Sequence, residues 1–336
     1  TNSLLVGTDS TGTLSSAEKN VGVGVGVLGA LTSGDDNVAI GFNALDLNTT
    51  GFQNIVLGSE SMATNTSGER NVAIGHNAMY ANTEGDCNVA IGKGALDANT
   101  TASGNTAVGT CSLTANTTGT TNTAIGINSL SANTTAAYNT AVGGGALATN
   151  ITGCQNAAVG AFALDKNTTG DDNVAMGYAT LDANTTGDLN TAIGKGALTA
   201  NTTGSSNTAI GYNALAASTT VSGSLALGTC ALLSSTSGTG NTALGHRALV
   251  CNTTGSENVA IAFRALKCNT SGTCNVAISY ESLCANTTGD NNTAVGFRSL
   301  YANTTADSNT AVGYIALCTN TTGADNTALG NNALKA

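Results

Sequence analysis

Aliphatic residues return along this chain with a period of seventeen. Counted from a leading asparagine, the fourth residue of each copy is aliphatic or Met, as in Ile74, Ile91, Val108, Ile125 and Val142. The ninth is Leu or Met from Leu28 onward. The polar frame is as regular. Stepping by seventeen from Asn20 meets Asn37, Asn54, Asn71 and so on to Asn326, with Ser224 the single break. A second asparagine recurs at position 12, a glycine at position 5, and small residues at positions 3 and 8. Nineteen copies and a partial twentieth follow one another without insertion. The chain therefore reads as one repeat domain over 1–336, with degenerate coils at 3–36 and regular repeats at 37–336, each copy packing on its neighbours.

Helix is a poor fit, because Asn, Thr and Gly recur too closely for any helical turn to be built of good formers. Thr-Ala-Ile and Ala-Leu read as two short strands per copy, separated by glycine and asparagine turns. Seventeen residues then make one coil, and the predicted fold class is an all-β parallel β-solenoid, or β-roll, of about twenty coils. Positions 4 and 9 are expected to stack inward as aliphatic ladders, with Ile74, Ile91, Ile125, Ile193 and Ile210 in one and Leu96, Leu130 and Leu198 in the other. Glycine at position 5 fits a positive φ or a close backbone approach. Asparagine at positions 1 and 12 suits turns and bonds between stacked amides.

Two large apolar side chains per coil are few against the entropy of ordering seventeen residues. The small face at positions 3 and 5, seen in Ala192, Ala209 and Gly211, is therefore expected to meet sister chains. The last copy stops in mid-coil without a polar cap, and an open solenoid edge is ready to pair. The expected partner is the chain itself, as a homotrimer or an end-to-end filament.

Composition narrows the function. The 336 residues include 43 glycines at fixed repeat positions, no proline and no tryptophan, and only 9% are charged. That is neither a solvated disordered tail nor collagen. A net charge of −10 argues against nucleic acid. No stretch is apolar for long enough to insert in a membrane as a helix, and no signal peptide is visible. Nine cysteines scattered over several repeat positions do not form a small disulfide framework. Cys251 and Cys268 alone share a position in adjacent copies, within reach of a disulfide, and Cys284 lies one position off in the next copy. Small, half-buried replacements for Ala or Thr are the simpler account of the cysteines. No metal site or cofactor is indicated.

The consensus Asn-Thr-Ala-(Ile/Val)-Gly-x-x-Ala-Leu-x-x-Asn-Thr-Thr-Gly resembles the repeats of phage and virus tail-fibre proteins. Asn71-Val-Ala-Ile-Gly75 and Asn88-Val-Ala-Ile-Gly92 also resemble the head repeats of trimeric autotransporter adhesins, whose period is shorter. The likeness runs from Asn20 to Ala336. It implies a left-handed parallel β-roll, a trimer, and a place outside the cell or on the virion surface.

Two ladders carry candidate chemistry. Asn48, Asn65, Asn99, Asn116, Asn133, Asn150, Asn167, Asn184, Asn201, Asn252, Asn269, Asn286, Asn303 and Asn320 each match the N-glycosylation pattern. An asparagine turn followed by β-favouring threonine gives the same pattern, and Asn82-Thr-Glu84 keeps the turn while losing the acceptor. In the C-terminal third, His246, Phe263, Tyr280, Phe297 and Tyr314 recur at position 6, with Arg247, Arg264 and Arg298 at position 7. Such a stripe fits a cell-surface glycan, or a self-stacking ladder between coils. Nothing resembles a catalytic site: Asp35-Asp36 and Asp171-Asp172 are adjacent acids on turns, and histidine is too scarce for a nucleophile and base. Threonine ladders raise ice binding, although Val interrupts them at position 2. The expected function is therefore a non-enzymatic structural fibre, with a glycan- or receptor-binding adhesin as the alternative.

Overall fold

The computed structural model describes residues 2–7 and 16–335; the part of the first degenerate coil at 8–15 lies outside them. The chain divides into two compact units, 1–170 and 171–336. Each is a parallel β-solenoid with one three-residue strand per coil, from Leu4–Val6 to Ala157–Val159 in the first and from Val174–Met176 to Thr327–Leu329 in the second. No helix occurs among the described residues. Strands pair one repeat apart and in register: Val72 faces Val89, Ala73 faces Ala90, and Ile74 faces Ile91.

The strand covers positions 2 to 4. The second expected strand, Ala-Leu, is a turn instead. Its leucine adopts left-handed backbone, φ 55° at Leu96 and 50° at Leu130, and a strand needs φ near −120°. Left-handed backbone costs an ordinary residue roughly 1–2 kcal/mol. Burying a leucine contributes about 1.5–3 kcal/mol, so the side chain outweighs the strain and holds the turn. Position 5 turns the corner after the strand. Gly92 has φ 135°, and a Cβ there would crowd the carbonyl of Gly109 in the next coil. Where Ala262 and Ser279 replace glycine, φ falls to 106° and 113°.

One expectation is reversed. Leu96, Leu130 and Leu198 are fully buried, as foreseen, but the position-4 ladder faces outward. Ile91 is 37% and Ile125 40% exposed, and Ile74, Ile193 and Ile210 are half-buried. The interior side of the strand is position 3, where Ala73, Ala90, Ala192 and Ala209 are fully buried. The small face proposed to meet sister chains therefore lines the coil's own core, and Gly211 is half-buried at its corner.

The reason is parity. Asn at position 1 points inward, fully buried at Asn71 and Asn88, and side chains alternate along a strand. Positions 1 and 3 must then enter and positions 2 and 4 must leave. Inside there is little room: a Cβ on Gly22, at position 3, would stand 2.8 Å from a Leu5 methyl and 2.9 Å from Val27.

Candidate functional site

The core is polar as well as apolar, and its polar part is built mainly from the two asparagine ladders. Asn54 receives nothing from side chains of its own coil. Its Nδ2 donates to the Oδ1 of Asn37 at 3.1 Å, and its backbone N–H donates to the same oxygen at 3.0 Å. The amide also crosses the coil to the carbonyl of Gly68 at 2.9 Å. The position-12 ladder runs beside it. Asn65 Nδ2 donates to Asn48 Oδ1 at 2.8 Å and to the Gly68 carbonyl at 3.0 Å. This arrangement repeats from coil to coil, as at Asn82, Asn99 and Asn133. These buried amides are hydrogen-bonded, which offsets the penalty of burial; the exceptions are the oxygens of Asn201 and Asn303, which have no partner.

That use of position 12 bears on the acceptor pattern. All the matching asparagines are fully buried except Asn320, which is half-buried. Their amide nitrogens, the atoms a glycan would be joined to, point into the core and donate to carbonyls and to neighbouring amides, as at Asn116, Asn150 and Asn269. The folded coil has no room for a sugar there. The threonine that follows most of them is likewise structural, as where Thr49 Oγ1 donates to the Thr66 carbonyl at 2.9 Å; Asn150 is followed by Ile151 instead.

The acidic turns also serve the stack. Asp86 Oδ1 accepts the backbone N–H of Glu69 at 2.8 Å, and Asp35 Oδ1 accepts that of Glu18 at 2.7 Å. Ser103 and Ser205 do the same with a hydroxyl for Asp86 and Asp188. A position-16 acid thus satisfies a corner N–H of the coil before it. Among the described residues no group of three or more His, Cys, Asp or Glu side chains converges to hold a metal. Cys251 and Cys268 are both free thiols.

The aromatic stripe is brought together as one stack. Ring centroids lie 5.5 Å apart from His246 to Phe263, 5.2 Å from Phe263 to Tyr280, and 5.3 Å from Tyr280 to Phe297 and from Phe297 to Tyr314. Planes differ by 8–23°, so ring faces cover one another and mainly edges reach solvent. Arg264 sits 4.8 Å over the Phe263 ring, and Arg298 lies 5.5 Å from Phe297 and 5.1 Å from Tyr301.

The residue missed in sequence is Glu281. It occupies position 7 between those arginines, only 5% exposed. Arg298 reaches it at 2.8 Å and Arg264 at 3.5 Å. Its carboxylate raises the Arg298 guanidinium pKa further through their hydrogen bond. The signal was present, since Arg264, Glu281 and Arg298 are spaced by seventeen. Arg247 is exposed at the end of that row. The stripe thus largely satisfies itself: faces meet faces, and two of its three cations hold a buried anion, with only Arg264 Nε buried and unpartnered. No protein-family model matches the chain, and no curated protein matches it.

Proposed function

We propose that the protein is a non-enzymatic structural protein, forming the shaft of a viral tail fibre or of an extracellular appendage and assembling through its solenoid. The observation that carries this reading is the direction of the buried polar bonds. Asparagine, threonine and position-16 side chains bond the equivalent position of an adjacent coil, so the repeat's polar chemistry is committed to stacking. A solenoid built in this way resists local opening at every rung. The aromatic–arginine ladder supports the same reading, because its partners are its own members.

The test is imaging of the source particle or cell with a gold-labelled antibody to this chain. Label arrayed along filaments or fibres supports a structural role. Label confined to a dispersed soluble pool contradicts it.

A further inference from the structure

In both units the outer side of the strand is uncharged in every described coil. Positions 2 and 4 alternate outward around the buried alanine. Thr191 and Ile193 stand in register with Thr208 and Ile210. From Val21 to Leu329 no charged residue occurs at either position. Beyond the corner glycine, position 6 carries exposed Phe42, Ile127 and Tyr212 but also exposed Lys93 and Lys195, so the uncharged face is confined to positions 2 and 4. The acids of this −10 chain lie chiefly at positions 10, 16 and 17. Copies of an acidic chain repel one another where those acids face. The strand face is where that repulsion is least and apolar gain is largest.

Area and spacing select the occupant. Outward side chains such as Ile91, Ile125 and Val159 are 37–40% exposed, and the face continues from coil to coil toward the ~800 Å² per partner of a standard interface. The outward side chains repeat at a rung spacing of roughly 4.8 Å. A partner that seats against every rung must carry the same spacing, and a second copy of this chain carries it by construction. We infer that this face docks a second copy of the chain, sheet against sheet, closing as a two-fold pair. The inference deepens the proposed structural role by naming the surface through which copies meet.

Sedimentation equilibrium of the full chain tests it. The expected species is twice the 32.8 kDa chain mass. Ile125→Asp with Ile210→Asp should weaken pairing about tenfold or more, with the circular dichroism unchanged. Thr118→Asp with Thr203→Asp, on exposed position 14, should leave it intact. If the aspartate pair fails to fold, Ile125→Ser with Ile210→Ser should weaken pairing in the same direction. A 32.8 kDa monomer at micromolar concentration overturns the inference. So does a three-chain species, pairing indifferent to the Ile125 and Ile210 changes, or a monomer that instead shapes growing ice. If pairing fails while labelled filaments are still seen, the structural role stands and this face is not its interface.

Discussion

Asn54 and Asn65 donate to one acceptor, the carbonyl of Gly68, at 2.9 and 3.0 Å. The two ladders are therefore not independent. Where both asparagines are present, as in this coil, amides from positions 1 and 12 meet at the position-15 carbonyl and both of its lone pairs are used. The oxygens of Asn54 and Asn65 then accept from Asn71 and Asn82 of the next coil, so a single asparagine closes one turn and joins it to another.

Removing one member should be costly. Asn133 Nδ2 donates to Asn116 Oδ1 at 2.8 Å and to the Ala136 carbonyl at 3.1 Å, while its Oδ1 accepts from Asn150. Asn133→Ala leaves Asn116 Oδ1 buried and without that donor. Urea unfolding should show a loss of about 2–3 kcal/mol, at the upper end of a buried unsatisfied group. A loss within experimental error would show that the amides are bystanders.

The ladder has a natural gap that makes the opposite prediction. Ser218 and Ser235 replace asparagine at position 12, and both Ser218 Oγ and Asn201 Oδ1 are buried without partners. Ser218→Asn restores the donor that Asn201 lacks. It should raise stability by about 1–2 kcal/mol, with slower amide exchange in the coils around 201–235 than elsewhere.

Paired truncations read which side of the strand is inside. Leu130→Ala should cost about 2–5 kcal/mol, as for a leucine removed from a packed core. Ile125→Ala removes an outward side chain that is 40% exposed, and should cost the isolated chain about 1 kcal/mol or less. Equal losses at the two sites would contradict the register.

The repeat, the parallel pairing and the leucine ladder were legible because seventeen-residue periodicity fixes them directly. The side of the strand is not legible from size, because the largest residue of the strand, at position 4, is the one that faces outward. Parity with the inward Asn71 would have placed Ala73 inside and Ile74 outside. The turn at Leu96 was hidden for a different reason: nothing in a leucine's local preference announces left-handed backbone, and only the closed coil imposes it. The aromatic ladder was visible as a stripe, whereas its self-sufficiency depends on Glu281, which becomes notable only beside Arg264 and Arg298.

Glu281→Gln should expose that dependence. Two arginines lose a buried counter-charge, and stability should fall by about 1–3 kcal/mol. Replacing Phe263, Tyr280 and Phe297 with Ala should destabilise the same coils without altering any glycan-array signal. Array binding that vanishes in the triple variant would favour an adhesin.

The cysteines differ in reactivity. Burial, with Cys268 close by, pushes the Cys284 thiol from its ordinary 9.0 up to about 11. The folded state then holds a proton that the unfolded chain releases, so this site's contribution to stability falls as pH rises from about 9 to about 11. Alkylation followed by mass spectrometry at neutral pH should mark the exposed Cys87 well before Cys284.

Excision of one whole copy, Asn122–Tyr138, bears most directly on whether the coil is a self-contained stacking unit. The strand Thr106–Val108 would then meet Thr140–Val142 with identical ladders on both sides. A stack of nearest-neighbour units predicts a folded chain with unchanged circular dichroism per residue and the same slow exchange at the amides of Asn105 and Asn139. Loss of cooperative folding, or fast exchange at those two amides, would contradict it.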